Sequence, residues 1–392
     1  MKSFGTISRG VKTPIIKEGD DLVNIVCDSV LNATKKENIQ LQDRDIIAVT
    51  EAVVGIAQGN YATLEQIAKD VKNKFGDETI GLIFPIMSRN RFSLLLKAIA
   101  KGAKKLIIQL SYPRDEVGNP ILDPELLYQA GTNPYSDEFT GDEFNKKFNN
   151  PIHPFTGLNY INLYKEYGGE NCEVILSNRP ETILKYTKYV IAADIHTRET
   201  TKRNLINAGA KKVLTLCDLL NESVDGSGYN SKYGLLGSNK STEDKVKLFP
   251  EHGQLIVDGI HDRLLKETGK NIEVMIYGDG AFKDPVGQIW ELADPVVSPA
   301  YTSGLVGTPN ELKLKFLSDN KFKDLKGEEL IKAMQNEIKN KNKNLKGSME
   351  TQGTTPRRYT DLLGSLSDLT SGSGDKGTPV VLIQNYFDTY AD

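Results

Sequence analysis

Two aspartates and one glycine-rich loop are the parts of this 392-residue chain whose type and placement could do chemistry. Asp279 closes the apolar run Asn271-Ile-Glu-Val-Met-Ile-Tyr-Gly-Asp279-Gly280, so its carboxylate is expected at the end of a buried strand. A carboxylate in that place is a hard oxygen ligand for a divalent cation that carries nucleotide phosphates. Asp225, in Ser-Val-Asp225-Gly-Ser-Gly-Tyr-Asn230, offers a second such group. Two aspartates from separate segments can share one hard cation, with phosphate oxygens completing its shell. Each taken alone also reads as a turn or cap residue. Asp284, Glu291 and Asp294 are weaker candidates of the same kind, and Trp290 reads as a core or interface residue.

The loop Gly372-Ser373-Gly374-Asp375-Lys376-Gly377 satisfies G-x-G-x-x-G in letters. It precedes a strand instead of following one and opening a helix, so it fails the context of a dinucleotide fold. As a nest of backbone amides around phosphate oxygens it fits better, with Lys376 adding charge. A tight turn before a strand is the plain alternative. Arg357 and Arg358 precede the last helical stretch and could grip a phosphate or carboxylate bidentately, as could Arg89 and Arg91; both pairs also read as solvated. Gly237-Ser-Asn-Lys240-Ser241 lacks the glycine that precedes the lysine of a common phosphate loop. The four histidines, His153, His196, His252 and His261, show no metal spacing, and Asp194-Ile-His196 at a strand end reads first as structural.

The elements that must position these groups follow from periodicity. A helix is expected from Leu22 with Asp20 as its cap, then a buried strand from Asp45 to Val54 and a helix from Ala62 to Lys74. Strand, helix and strand alternate between Lys105 and Cys217, the pattern of a parallel unit. Tyr112 to Tyr160 is rich in Pro, Asn, Gly and Asp and is expected to hold little regular structure. A helix from Gly253 to Thr268 leads into the Asn271 run, and Pro379 to Gln384 closes the chain as a strand. Together these predict an α+β fold with mixed sheets: a core from residues 1–80 and 220–392, and an inserted α/β region at 81–219.

Composition narrows the partners. With 49 basic and 52 acidic residues, the net charge of -3 favours neither nucleic acid nor an anionic membrane. No window approaches the ~18 apolar residues of a membrane span. The opening Met1-Lys-Ser-Phe lacks a signal-peptide core. Cys27, Cys172 and Cys217 are far apart, as buried free thiols of a reducing cytoplasm would be.

The ordered set of motifs resembles the gamma-glutamyl ligase of the deazaflavin coenzyme F-420. The match runs through Thr13-Pro-Ile-Ile-Lys-Glu-Gly-Asp-Asp-Leu22, Thr50-Glu-Ala-Val-Val-Gly-Ile-Ala-Gln-Gly59, Val224-Asp225-Gly-Ser-Gly-Tyr-Asn230, Tyr277-Gly-Asp279-Gly280 and Gly372-Ser-Gly-Asp-Lys-Gly-Thr-Pro-Val-Val-Leu382. The resemblance implies an enzyme that uses GTP and Mg²⁺ or Mn²⁺ to activate a carboxylate by phosphoryl transfer for attack by the amine of L-glutamate, and it implies a homodimer. By resemblance, Thr13, Pro14, Ile15, Ile16, Glu51, Ala52 and Asn230 line the nucleotide pocket. Gly372, Ser373, Gly374, Asp375, Gly377 and Thr378 form the loop around the nucleotide. Asp225 and Asp279 hold the first cation. The chain departs from the family where Ile56 replaces a phosphate-contacting lysine, where Gly280 replaces a threonine, and where the second-metal carboxylate falls near Ser373, with Asp375 able to substitute. The reading is a nucleotide- and metal-dependent amide ligase in which Asp279, Lys376 and Arg357 serve the transferring phosphoryl group. The alternative is an altered relative that binds a nucleotide or phosphorylated ligand as sensor or scaffold.

Overall fold

The computed structural model describes residues 3–87, 92–153, 157–278, 298–351, 357–371 and 375–392. These divide into two units, one drawn from Met1–Val54, His252–Gly278 and Val296–Asp392, the other from Gly55–Glu251. Parallel and antiparallel strands combine with helices in an α+β fold.

In the first unit a five-stranded sheet runs in the order Ile7–Val11, Val380–Gln384, Ile46–Thr50, Glu273–Tyr277, Ala300–Tyr301. Ile46–Thr50 is central because its first four residues, Ile-Ile-Ala-Val, are buried on both faces. It pairs parallel with Glu273–Tyr277 and antiparallel with Val380–Gln384. Ile46 and Ala48 pack with Met275, Tyr277, Val381, Ile383 and Leu363, the last on the helix Tyr359–Ser371. Burying each large side chain of this set is worth about 1.5–3 kcal/mol. The helix Leu22–Lys36 is capped by Asp21, which accepts from Asn24 N at 3.1 Å. Asp20, the cap expected from sequence, instead accepts from Lys17 N at 2.7 Å and closes the preceding turn. The helix Gly253–Thr268 lies beside Leu22–Lys36, and Gly259 allows the close approach of Val23.

The second unit is built on a six-stranded sheet in the order Phe139–Thr140, Cys172–Leu176, Lys105–Leu110, Thr79–Ile83, Tyr189–Ala192, Lys212–Thr215. All but the two-residue edge strand Phe139–Thr140 run parallel, as the strand-helix-strand alternation predicts. One face packs on the helices Leu64–Phe75, Phe92–Gly102 and Tyr160–Gly168, the other on Pro180–Lys185 and Arg198–Asn207. A three-stranded sheet joins Asn239–Lys240, Lys245–Lys247 and Tyr61–Thr63. The helix expected from Ala62 starts later, at Leu64, because Thr63 and Gln66 form a capping box that holds Tyr61–Thr63 extended. The stretch after Tyr112 is more regular than expected. Asp123 with Pro124 starts the helix Pro124–Gln129, and a capping box of Thr140 and Glu143 starts Gly141–Lys147.

Candidate functional site

Pairing register gathers four separate segments at one end of the five-stranded sheet. Val11 faces Val380, Val380 faces Val49, and Thr50 lies beside Tyr277. The chain leaving Ile7–Val11 is Thr13 to Ile16, and the chain entering Val380–Gln384 is Asp375 to Pro379. The chain leaving Ile46–Thr50 is Glu51 and Ala52, and the chain leaving Glu273–Tyr277 heads for Asp279. Backbone bonds tie the first three together: Thr13 N donates to Gly377 O at 3.3 Å, and Thr50 N donates to Pro379 O at 3.0 Å. Thr378 Oγ1 donates to Ser371 O at 2.8 Å and sits against Gly10, where a Cβ would meet it at 2.9 Å. Gly377 takes φ +66, which favours a residue without Cβ.

The exposure of these groups differs. Thr13 and Thr378 are half-buried, while Pro14, Ile15, Asp375, Lys376 and Gly377 are exposed. Glu51 is 1 % exposed and occupies the first turn of the helix Glu51–Ala57, where a negative charge is favourable. Ile56, at the position of the family's lysine, is half-buried on the same helix. Arg357 is not brought to this place. It precedes the helix Tyr359–Ser371, whose opposite end carries the Ser371 carbonyl bonded to Thr378. Thirteen residues of helix separate the two ends, roughly 20 Å at 1.5 Å per residue. Arg358 donates to Asp361 at 3.3 Å.

Asp225 and Asn230 belong to the other unit. Asp225 has φ +49 and Gly226 φ +73, so two successive left-handed residues turn the carboxylate outward. Lys69 Nζ binds both of its oxygens, at 2.8 and 2.6 Å, and Gln66 Nε2 donates to its carbonyl at 3.2 Å. Sequence reasoning missed Lys69. The signal was present, since Gln66, Lys69 and Asn73 recur at helical spacing on one polar stripe. Lys69, Asn73, Lys74, Glu222 and Asp225 line an open polar groove of about 460 Å³. Asn230 is buried, and its side chain is engaged by backbone groups of its own turn and of the segment at Phe249 and Pro250. Its Nδ2 donates to Pro250 O at 3.0 Å and its Oδ1 accepts from Tyr233 N at 2.7 Å.

Asp279, Gly280, Gly372, Ser373 and Gly374 lie outside the described residues, as do Arg89, Arg91, Asp284, Trp290, Glu291 and Asp294. Among the described residues, no three His, Cys, Asp or Glu side chains meet as a metal set. Asp225, paired with Lys69, does not complete a divalent-cation site without a further carboxylate. Burial pushes the Cys27 and Cys172 thiols up to about 12 and also raises Cys217, which disfavours the thiolate form. Among the described residues no helix is long and apolar enough to cross a membrane.

The fold and site define an α+β protein whose mixed sheet assembles glycine-bearing, partly charged loops at one set of strand ends. The model of the F420-0:Gamma-glutamyl ligase family matches residues 10–385, and the chain belongs to that family. One curated relative is the Coenzyme F420:L-glutamate ligase of Methanosarcina acetivorans, 29% identical over 101 residues. The alignment covers 26% of this chain and 33% of that relative, so it spans about a third of the relative's length.

Proposed function

We propose that the protein is an amide-bond-forming ligase that joins L-glutamate to a carboxylate-bearing acceptor at the expense of GTP or another nucleoside triphosphate. The observation that carries the reading is the convergence of Thr13 to Ile16, Glu51 with Ala52, and Asp375 to Thr378 at one end of the five-stranded sheet. A carboxylate has no leaving group that an amine can displace. Transfer of the γ-phosphoryl group to an acceptor oxygen gives an acyl phosphate and a nucleoside diphosphate. The glutamate amine then attacks the acyl carbon, the C–O bond to phosphate breaks, and amide and inorganic phosphate leave with the amine's proton passed to base.

In this reading the loop carrying Lys376 and Gly377 faces the phosphates, with the Lys376 ammonium countering charge that moves during transfer. Glu51 and the backbone of Thr13 to Ile16 orient the nucleotide. Asp225 and Asp279 are the carboxylates assigned to Mg²⁺ or Mn²⁺, which when bound neutralises phosphate charge. The protein would work as a cytoplasmic homodimer.

The test is release of inorganic phosphate from GTP and ATP with Mn²⁺ or Mg²⁺, in the presence of glutamate and a panel of carboxylates, with the conjugate detected by mass. Lys376→Ala is expected to lower kcat/KM by about a hundredfold, the size of one lost transition-state donor. Asp279→Asn is expected to weaken metal–nucleotide binding at least tenfold, about 1.4 kcal/mol. Unchanged affinity would remove Asp279 from the site. Tight nucleotide binding without turnover across the whole panel would instead identify a sensor or scaffold, the outcome that Ile56 in the place of a lysine favours.

A further inference from the structure

We propose that Lys247 is a phosphate-contacting residue for the nucleoside triphosphate, carried on the same Gly55–Glu251 unit as Asp225. The inference rests on the ligase reading and adds a cation to it. Val246 and Lys247 are neighbours on the short strand Lys245–Lys247, whose pairing with Tyr61–Thr63 sets Lys247 opposite Tyr61. Side chains alternate across a strand, so these two leave it on opposite faces. Val246 enters the large apolar core of the unit. Lys247 goes the other way, yet it is only 7 % exposed. Lysine is almost never buried so far unless its charge is met. A position that only filled space would be served by an apolar chain of similar length, with no charge to desolvate.

The lysine is knitted to the segments that the ligase reading uses. A Cβ added to Gly55 would stand 3.5 Å from both Cγ and Cδ of Lys247, and 3.1 Å from Leu248 O. The stem therefore lies along the backbone at the end of the helix Glu51–Ala57, one residue before Ile56, and a side chain at position 55 would crowd it. Asn60 ties this contact to the Asp225–Asn230 loop. Its N donates to Gly55 O at 3.0 Å, and its O accepts from Leu248 N at 3.0 Å. Its Oδ1 accepts from Tyr229 N at 2.9 Å, and its Nδ2 donates to Tyr229 O at 2.9 Å and to Phe249 O at 2.6 Å. Gly228 N donates to Tyr61 O at 2.7 Å, on the strand that Lys247 pairs with. One buried asparagine thus fixes the helix end, the lysine strand and the aspartate loop against one another.

The chemistry asks for such a cation. A triphosphate that holds one divalent ion is still an anion, and charge moves across it as the γ-phosphoryl group is transferred. A fixed positive group in a place shielded from water stabilises that charge without having to reorganise. An ammonium is a compact point charge suited to phosphate oxygens. The stem of Lys247 is held along a backbone that Asn60 clamps, so its head is positioned in advance. Ile56, the next residue along that backbone, has no charge to offer. Lys247 brings the charge to the same stretch of chain from another segment.

The experiment uses the full chain with Mn²⁺. GTP and ATP are titrated by calorimetry against the parent, Lys247→Met and the double variant Lys247→Met with Ile56→Lys, and each protein is melted without ligand to confirm that it folds. Lys247→Met should weaken the triphosphate that the parent binds by ~10- to 100-fold, the worth of one hydrogen bond to a charged group. Ile56→Lys in that background should return the affinity to within about threefold of the parent, because it sets an ammonium on the adjacent backbone. A lysine that only braced the fold would give no such rescue. Should Lys247→Met fail to fold, Lys247→Gln replaces it in both variants; failure of both to fold would mark a structural lysine and overturn the proposal. A parent that binds neither triphosphate overturns the ligase reading and this inference with it. A parent that binds one, with Lys247→Met binding it equally well or the double variant no better than Lys247→Met, overturns this inference alone.

Discussion

Replacing Lys69 with Met should strengthen Mn²⁺ binding, not weaken it. Lys69 and Asp225 form a close pair, N to O 2.6 Å, but their side chains are 52% and 56% exposed. An ion pair so open to water is worth ~0.2–1 kcal/mol. A cation that takes the Asp225 carboxylate must break this pair, and that cost disappears in Lys69→Met. A displaced ammonium roughly 6 Å from a divalent ion also repels it by about 1.4 kcal/mol in unscreened water, less in salt. The two effects together come to ~1–2 kcal/mol, or about 5- to 30-fold in affinity. The assay is Mn²⁺ titration by calorimetry or by loss of the free-ion resonance, in low and high salt, with the nucleotide present. The gain should shrink as salt rises. Lys101→Met breaks a comparably exposed pair with Glu65 and should not change Mn²⁺ affinity. Unchanged or weaker Mn²⁺ binding in Lys69→Met would show that Asp225 is a turn residue and no cation ligand.

Two further substitutions separate structural from chemical roles. Glu51 is buried at a helix start, so Glu51→Ala should cost about 2–4 kcal/mol in denaturant unfolding by stranding its surroundings. Glu51→Gln should keep the fold yet lose at least tenfold in turnover; full activity would exclude the carboxylate from the site. Glu138 tests an electrostatic contact within the Gly55–Glu251 unit. Burial pushes its carboxyl up, but hydrogen bonds from Lys185, Thr182 and Arg179 outweigh that and hold it at about 2 against an ordinary 4.5. Its folded value is depressed, so its stabilisation is complete above about pH 4.5 and fades as pH falls through 2. Solvent around both cations limits the contribution to about 1 kcal/mol. Glu138→Gln should remove that amount at pH 6 and change little at pH 2; an equal loss at both values would make the effect steric.

The strands were legible because burial writes itself into sequence. Ile-Ile-Ala-Val and Val-Val-Leu-Ile read as buried strands and both are, but the strand expected to reach Val54 ends at Thr50, where Glu51–Ala57 turns helical. The pairing that sets Thr13 beside Gly377 was not legible, since residues more than 360 positions apart carry no periodicity linking them. Local capping was readable but underused. Thr140 with Glu143 and Asp123 with Pro124 place helices in a stretch whose Pro and Gly content suggests loop. Asp20 and Asp21 are equally good caps on paper, and the choice rests on which carboxylate reaches Asn24 N. Asn230 shows the opposite difficulty. A buried amide that satisfies neighbouring backbone and one that reads a nucleotide look the same in sequence, because both need the residue type and only the partners differ.

The same distinction governs the charges at the sheet end. Glu51 and Asp375 are negative, and Lys376 is the one cation of the described 375–378 loop. A triphosphate brought here alone would meet two carboxylates against Lys376, and in the proposed ligase a bound cation supplies the missing attraction. Linkage then requires that the nucleotide raise cation affinity by the same factor by which the cation raises nucleotide affinity. If GTP binds as tightly in chelator as in Mn²⁺, the charge at this end is balanced by protein groups alone and the assignment of Asp225 and Asp279 falls. If the two factors are large and equal, the carboxylates serve the nucleotide through the ion, and Asp279→Asn must reduce both together.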